Sequence, residues 1–324
     1  MNSPGRICRR FSKRFLVDQY PLWRGGLPPF GCEAVVNPAN AESLTKRDYR
    51  SWGGFAAQRG QAPSPQKPCC HYPVIEQPGK MPGMNPVPAL PICCTPLDAH
   101  WPLPFVLPDT VLLSTHFDSA QLAGDDFQRS AIEPPASIQR SVAKRQAEFL
   151  AGRVCARAAL QQLEGLDCIP AIGEDRAPVW PAHVAGSITH STGRAAAIVA
   201  RKTAWRGLGM DLENLLNPER AQRLAGEILT PPELRRMAAG RLDDQALLVT
   251  LTFSVKESLF KALYPIVQRR FYFEHAEVLE WSETGEVRLR LLTDLSGEWR
   301  NGTELEAQFG LMDGQLLSLV SIKA

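Results

Sequence analysis

The segment 207–213, Gly-Leu-Gly-Met-Asp-Leu-Glu, constrains the fold most, because it alternates apolar and acidic side chains with the period of a strand. Its apolar side chains are expected on one face, and Asp211 and Glu213 on the other. Two carboxylates two residues apart repel each other unless a cation lies between them. Mg2+ is commonly held by one or two carboxylates together with phosphate oxygens. The strand therefore predicts a magnesium site, although an exposed strand end with solvated acids would give the same pattern.

A second acidic motif follows about forty residues later, in an apolar segment predicted to be helical over 244–264 and to stop before Pro265. Glu257 and Lys261 lie one helical turn apart, and Lys256 lies beside them on the apolar side. Apolar packing does not call for a Lys–Glu pair at this place. The pair indicates a site, and a solvated, salt-bridged helix face is the alternative.

Before the acidic strand, the sequence predicts two apolar strands, 184–188 and 195–200, joined by a turn that contains Thr189, His190 and Ser191. Hydroxyls, backbone N–H groups and an imidazole at one turn are suited to hold phosphate. A single histidine in such a place is more often structural, so the sequence leaves the role of His190 open.

A long helix is expected over 138–163, capped by Ser137 or Ser141 and ended by Gly165. It carries an unusual number of cations, although basic helices are most often solvated faces. They are Arg140, Lys144, Arg145, Arg153 and Arg157. The last two are one turn apart, and we expect them to point the same way.

The chain is β-rich after residue 270, with predicted strands over 271–281, 287–292, 305–311 and 316–322. Asp313-Gly314 between the last two is a strong hairpin signal. We predict an α+β fold with two similar-sized, pseudo-duplicated lobes, 84–205 and 206–324. The active site is expected in the cleft between them, and because one chain supplies both sides, a monomer is expected.

Residues 1–83 differ from the rest, with 20 Pro and Gly residues and with 12 Lys and Arg against 5 Asp and Glu. This composition without periodicity predicts a disordered extension. Its acid-poor start would suit a targeting peptide, but Met81 and Met84 precede the first ordinary-looking sequence and favour a mis-annotated translation start.

Composition excludes several classes of partner. A net charge of +2 gives no indication of a nucleic-acid partner. The chain also has no run of about eighteen apolar residues that would predict a membrane span. The N-terminus lacks a secretion-type apolar region, and the eight cysteines have no regular spacing. A cytoplasmic protein with reduced cysteines is therefore expected.

Five segments in order together resemble one family, the surfactin-type 4′-phosphopantetheinyl transferases, and among them the enterobactin synthetase component D group. The family pattern is a Gly-Ile-Asp-x-Glu-like strand followed by Trp/Phe-Ser-x-Lys-Glu-Ser-x-x-Lys. Here the corresponding segments are 144–157, 175–181, 187–191, 209–213 and 253–261.

The resemblance implies roles for individual residues. The Mg2+ ligands would be Asp211, Glu213 and Glu257. The pyrophosphate of coenzyme A would be held by Thr189, His190 and Lys261, and its 3′-phosphate and adenine by Arg153 and Arg176. Glu257 is the first candidate for the general base and Lys256 the alternative, because a serine hydroxyl needs a proton acceptor.

The implied function is the Mg2+-dependent transfer of 4′-phosphopantetheine from coenzyme A to a serine of apo acyl or peptidyl carrier proteins, with release of adenosine 3′,5′-bisphosphate. The carriers would serve fatty acid, siderophore, polyketide or nonribosomal peptide synthesis. The alternatives are another Mg2+-dependent enzyme of phosphate esters, against which the missing phosphate-binding glycine loop speaks, and a non-catalytic module that binds coenzyme A or carrier proteins.

Overall fold

The structure is a computed structural model that describes residues 88–173 and 176–324, without the side chains of residues 242 and 243. The predictions made for residues 1–83 lie outside these residues. In the described part, helices and antiparallel sheets alternate along the chain. The predicted α+β class is therefore confirmed.

The first half places one long helix on a small antiparallel sheet. Its elements are β1 (Thr110–His116), α1 (Asp126–Arg129), α2 (Ala136–Gln139), α3 (Ala143–Glu164), β2 (Ala171–Ile172), β3 (Pro178–Val179), β4 (Val184–Ser191) and β5 (Arg194–Arg201). The strands pair in the order β1–β5–β4. Helix α3 packs on this sheet where Leu160 meets Leu113 and Val199.

The second half repeats this plan on a larger sheet. Its elements are β6 (Trp205–Asn214), α4 (Pro218–Ile228), α5 (Pro231–Ala239), α6 (Leu242–Val267), β7 (Ala276–Trp281), β8 (Glu286–Leu291), β9 (Glu304–Met312) and β10 (Gln315–Lys323). The strands pair in the order β6–β10–β9–β8–β7. Helix α6 packs on this sheet where Val255 and Leu259 meet Leu316 and Val320.

The two sheets share an apolar core. Leu208, Met210 and Leu212 of β6 pack together with Leu112 and Ile198 of the first sheet, and burying an aliphatic side chain of this size contributes about 1.5–3 kcal/mol. The apolar face predicted for β6 is thus confirmed. The layers run from α3 through the two sheets to α6.

Strand β6 and helix α6 approach each other closely because of two glycines. A Cβ on Gly209 would lie 1.8 Å from the carbonyl oxygen of Ser258, and one on Gly207 would lie 2.5 Å from that of Ala262. Both glycines lie within β6. They are needed for the space that they leave to the helix.

Helix α3 begins at Ala143 and not at residue 138. Residues Ala136–Gln139 form a separate turn, and Val142 is extended (φ −66°, ψ 155°). Ser141 donates to the carbonyl of Ser137 (2.7 Å) and does not cap α3. The expected end is confirmed, because Gly165 adopts the left-handed conformation (φ 68°).

Helix α6 continues past Pro265 to Val267, so the predicted stop is wrong. A proline in the last turn removes few backbone hydrogen bonds. Gln268 caps the helix after Val267, and its N–H donates to the carbonyl of Tyr264 (2.9 Å). Ile266 and Val267 of this extra turn pack against the apolar core.

The C-terminal strands follow the prediction with one exception. The strand expected from residue 271 begins at Ala276, because Phe273–His275 form a 3-10 turn. The Asp313-Gly314 hairpin is confirmed, with positive φ at both residues (50° and 79°). No helix among residues 88–173 and 176–324 has the length and apolar character to cross a membrane.

Candidate functional site

Asp211 lies on the face of β6 opposite the apolar core, and its side chain points towards α6 and Glu257. Asp211 is completely buried and Glu257 is 3% exposed. Burial, together with the charge of Asp211, raises the pKa of Glu257 to about 8, and Lys261 opposes the rise. Burial and then Asp211 also raise the pKa of Glu213 well above its ordinary value. We call Asp211, Glu213 and Glu257 the acidic group.

Lys261 brings a cation to the acidic group. Its Nζ donates to Asp211 Oδ1 (2.8 Å) and to the carbonyl of Met210 (3.1 Å). Helical spacing predicts that Lys261 lies beside Glu257. In the structure its ammonium reaches β6. This ion pair joins α6 to β6.

The acidic group has the chemistry of a hard-cation site. Glu257 Oε2 is buried and accepts no hydrogen bond in the described part of the chain. A buried carboxylate oxygen of this kind is costly unless a donor or cation satisfies it. Three mutually repelling carboxylates therefore fit a divalent cation, although no set of three His, Cys, Asp or Glu residues among those described stands ready-made as a metal site.

Next to the acidic group, cations of α3 and α6 surround His190 of β4. Arg145 Nη1 lies 3.0 Å from His190 Nε2 and donates to it, and Glu148 Oε2 lies 3.9 Å from Nδ1. Burial, and then the nearby cations, lower the pKa of His190 to about 3. These cations, which we call the basic cluster, are Lys144, Arg145, Arg153 and Lys261. Because an arginine only donates, His190 carries its proton on Nδ1.

Arg153 lies deep beside His190. It is 1% exposed, and its guanidinium lies 4.8 Å from the centre of the Phe149 ring. Arg157 does not accompany it, because its guanidinium bonds to the carbonyl of Ser130 and lies 3.8 Å from Asp167. The expectation that both arginines point the same way is wrong.

Thr189 and Ser187 connect the two halves. The strand β4 runs on to Ser191, so residues 189–191 are not a turn. The N–H of Leu212 donates to Thr189 Oγ1 (3.0 Å), and that of Met210 donates to Ser187 Oγ (3.0 Å). Both hydroxyls thus serve the backbone of β6, which aligns β4 with the strand that carries the acids.

Lys256 points away from the acidic group. It is 3% exposed, and its Nζ donates to Glu233 Oε2 (2.8 Å) and to the carbonyls of Ile228 (2.9 Å) and Phe273 (3.0 Å). Burial lowers its pKa, and Glu233 raises it. Its three acceptors match the three donors of an ammonium.

Arg176 lies outside the basic cluster. It is exposed in the turn between β2 and β3, where its N–H bonds to Gly173 (2.9 Å) and its backbone is left-handed (φ 70°). Among the described residues, no hydrogen bond or ion pair joins its side chain to the site.

A cleft of about 650 Å³, including its open mouth, lies between β3–β4 and α6. Lys261 lies in its wall, so the cleft leads to the acidic group. Aromatic and polar groups line it: Trp180, Ser187, Phe260, Tyr264 and Arg270. Gly186 leaves the space for Trp180, since a Cβ there would lie 2.7 Å from the indole.

Sequence reasoning missed Arg145, Glu148 and Glu233 as site or supporting residues. Arg145 and Glu148 are three residues apart in α3 and form an ion pair (3.5 Å). This spacing was available in the sequence as a signal. Glu233 gave none, because it occupies an ordinary capping position of α5 with Thr230.

Comparisons with known proteins show the family of this chain. The model of the 4′-phosphopantetheinyl transferase N-terminal domain matches residues 133–200, and that of the 4′-phosphopantetheinyl transferase superfamily matches residues 207–317. Enterobactin synthase component D of Escherichia coli O157:H7 is 38% identical over 184 residues, which cover 57% of this chain and 84% of that protein.

Two further proteins are similar over shorter parts. The 4′-phosphopantetheinyl transferase Npt of Nocardia iowensis is 37% identical over 150 residues, 46% of this chain and 65% of that protein. The solved holo-[acyl-carrier-protein] synthase of Thermotoga maritima covers 36% of this chain and 64% of its own, with 24% identity and a TM-score of 0.28, a likeness too low to carry an argument. The family models and the enterobactin synthase relative are sufficient, and the chain belongs to the 4′-phosphopantetheinyl transferase superfamily.

Proposed function

We propose that this protein transfers the 4′-phosphopantetheine group of coenzyme A to a serine of an apo carrier protein. The observation that carries the proposal is the acidic group next to the basic cluster, in a chain that belongs to this family. Coenzyme A carries a pyrophosphate and a 3′-phosphate, so it needs several cations. The relatives named enterobactin synthase component D make a siderophore-type carrier the first substrate to test.

The basic cluster is our proposed site for the phosphates of coenzyme A. Lys144, Arg145, Arg153 and Lys261 all act on the buried, neutral His190, so their positive charges converge at one place. Guanidinium groups bind phosphate through paired hydrogen bonds. His190 contributes one N–H donor. Thr189 and Arg176 remain predicted ligands, but the contact of Thr189 with Leu212 supports a role in alignment first.

We propose that Glu257 accepts the proton of the carrier serine. The serine oxygen attacks the phosphorus that bears pantetheine, and a new O–P bond forms as the bond to the bridging oxygen breaks. Adenosine 3′,5′-bisphosphate leaves with the electron pair, and the hydroxyl proton passes to the Glu257 carboxylate. Burial and Asp211 raise the pKa of Glu257 in the metal-free protein, and a cation bound beside it would favour the ionised carboxylate that can accept the proton.

Asp211, Glu213 and Glu257 would hold Mg2+, which when bound neutralises charge that develops on the phosphates. Lys261 would then contact both the phosphates and the acidic group, since its ammonium already lies against Asp211. Lys256, our alternative base, is better suited to positioning, because its three donors are already used by Glu233 and two carbonyls. A monomer and a cytoplasmic location remain predictions from the sequence.

Intact-mass spectrometry of an apo carrier protein tests the proposal. The carrier is incubated with this protein, coenzyme A and Mg2+, and a gain of one phosphopantetheine is expected. The gain should disappear with EDTA and with Glu257→Gln, which keeps the shape of the side chain. Glu227→Gln, at an exposed position of α4, is the matched control and should retain activity.

The outcomes separate the alternatives. If coenzyme A binds in calorimetry but no carrier of several types gains mass, the protein is a binding module. If coenzyme A does not bind and another phosphate ester is consumed with Mg2+, the protein is a different enzyme.

A further inference from the structure

Three buried serines lie directly behind the acidic group, and the proposed chemistry does not use them. They are Ser254, Ser258 and Ser318, all completely buried, and we call them the serine cluster. Two belong to the motif of α6 that also carries Glu257, and the third lies on β10. Their neighbours in α6, Val255 and Leu259, are part of the apolar core, so packing alone does not require hydroxyls here.

Ser318 is placed by strand register. It pairs directly with Asp211 across the β6–β10 ladder. Residues opposite each other in an antiparallel pair project to the same face of the sheet. Ser318 and Asp211 therefore both project towards α6, side by side.

The hydroxyls join α6 to this face of the sheet. Ser318 Oγ lies 2.7 Å from Ser254 Oγ and 2.8 Å from Ser258 Oγ. Ser258 Oγ also lies 3.2 Å from the Ser318 carbonyl. If Ser258 donates to that carbonyl, Ser318 to Ser258, and Ser254 to Ser318, all three protons have acceptors. Such a satisfied buried network favours one arrangement of the elements that it joins.

Ser254 and Ser258 bracket Glu257 in α6, and Ser318 borders Asp211 in the sheet. The serine cluster therefore lies where it sets the separation of the two carboxylates. When both are ionised, as binding of a shared cation requires, Asp211 and Glu257 repel each other, and this repulsion acts to move α6 away from β6. The cluster opposes that movement at the level of the carboxylates.

We propose that Ser318 is a positioning residue that, through Ser254 and Ser258, holds Asp211 and Glu257 at the separation needed to share a divalent cation. The inference rests on the proposed function, since it assigns the cation to these acids. Glu257 and Asp211 would touch the cation, and Ser318 would act only through them.

Binding of Mn2+ in the presence of coenzyme A, followed by the electron paramagnetic resonance of free Mn2+, tests the inference on the full chain. Ser318→Ala should weaken Mn2+ binding about tenfold, the lower range for loss of a supporting group around a metal. The matched control is Ser130→Ala. Ser130 is equally buried, and its hydroxyl donates to the carbonyl of Asp126 (2.6 Å), far from the acids in sequence and in contacts. The control should lose a similar amount of thermal stability and keep its Mn2+ affinity.

A double variant adds a second criterion. Ser254→Ala with Ser318→Ala should bind Mn2+ about as weakly as Ser318→Ala alone, because Ser318→Ala already removes the contact between the Ser254 and Ser318 hydroxyls. If Ser318→Ala does not fold, Ser254→Ala carries the test with a smaller expected loss, because it leaves the Ser258–Ser318 contact.

Each result decides between named possibilities. Equal Mn2+ affinity of Ser318→Ala and the natural protein overturns the positioning role and leaves the proposed function intact. An equal loss in Ser130→Ala also overturns it, since general destabilisation would then explain the loss. If the natural protein itself binds no Mn2+ with coenzyme A, the metal assignment fails, and this inference fails with it.

Discussion

At the scale of single residues, burial and then four nearby cations keep His190 neutral. Arg145 donates to it at 3.0 Å, and Lys144, Arg153 and Lys261 add positive charge nearby. Protonating the imidazole would add a fifth positive charge in a buried place. The positive charge of the site therefore resides on the surrounding lysine and arginine side chains, and the neutral imidazole orders them and offers one N–H donor.

The low pKa of His190 predicts a pH-dependent stability. In the unfolded chain its pKa is about 6.5, and in the folded protein it is about 3, so the unfolded state binds more protons between these values. Titration of His190 therefore leaves the free energy of unfolding unchanged well above pH 6.5 and lowers it as the pH decreases towards 3. The slope is about 1.4 kcal/mol per pH unit. Between pH 6.5 and pH 5, His190 should cost about 2 kcal/mol.

Urea unfolding at pH 7.5 and at pH 5 measures this cost. The difference between the natural protein and His190→Asn isolates the histidine, because the other titrating groups are common to both. An asparagine side chain does not titrate, so the variant should lose less stability on acidification. Equal losses in both proteins would show that His190 titrates normally.

The position of Arg145 predicts which arginine matters most for coenzyme A. Arg145 belongs to the basic cluster, whereas Arg176 is exposed without a contact to it. A hydrogen bond to a charged group contributes about 1.5–3 kcal/mol. Arg145→Ala should therefore raise the KM for coenzyme A by about tenfold or more and change kcat less.

Steady-state kinetics compares the KM for coenzyme A of Arg145→Ala with that of Arg176→Ala. The comparison shows whether the geometry or the family resemblance identifies the more important arginine. The family resemblance assigns the 3′-phosphate and adenine of coenzyme A to Arg153 and Arg176, whereas the geometry adds Arg145 to the basic cluster and leaves Arg176 outside it. A larger rise in KM for Arg176→Ala would mean that its turn closes onto bound coenzyme A and that the ligand-free geometry misleads at this residue.

At the scale of elements, the relation of α6 to β6 decides the site. Two glycines of β6 admit the helix backbone, and Ser318 joins it to β10. Gly209→Ala would place a Cβ 1.8 Å from the Ser258 carbonyl, and a backbone atom cannot move aside as a side-chain end can. We expect a loss of at least about 2–4 kcal/mol, in the range of a severely overpacked core.

Thermal and urea unfolding check this expectation against Gly226→Ala. Gly226 lies in α4 with open space around its Cβ position, and alanine in a helix is favoured over glycine by about 0.5–1 kcal/mol. The control should be slightly more stable than the natural protein. A Gly209→Ala variant of unchanged stability would show that α6 shifts at little cost, and would weaken the case for a fixed acidic group.

The sequence predicts an element well when residues within that element determine its structure, and poorly when contacts with distant residues do. The period of β6 and the hairpin at Asp313 are local, and both were predictable. The start of α3 and the continuation of α6 past Pro265 depend on competing local bonds and on packing in the core, which no single segment contains. The same holds for the site: the acids were predictable from spacing, whereas the partner of Lys256 lies on another helix.

At the scale of the whole molecule, residues 88–108, which we call the N-terminal segment, contact both halves. The N–H groups of Ile92 and Cys93 donate to the buried carboxylate of Asp126 (2.7 and 3.3 Å). Further on, the N–H of Phe105 donates to Gln308 of β9 (2.9 Å). Arg194 of β5 also bonds to Asp313 in the hairpin of the second sheet. With the shared core, these contacts join the two halves in one unit.

Two truncations test what each part of the N-terminus contributes. A chain that begins at Met84 keeps the N-terminal segment and should match the full chain in melting temperature and in transferase activity, and light scattering should find a monomer. A chain that begins at Asp109 loses the buried side chains of Leu103 and Leu107, about 1.5–3 kcal/mol each. It also removes the Ile92 and Cys93 donors of Asp126 and leaves that carboxylate only the N–H of Ala123. Against a total stability of about 5–15 kcal/mol, this shorter chain should melt far lower or fail to fold. If instead the chain from Met84 loses stability, residues 1–83 contribute to the fold, and the prediction of a dispensable extension is wrong.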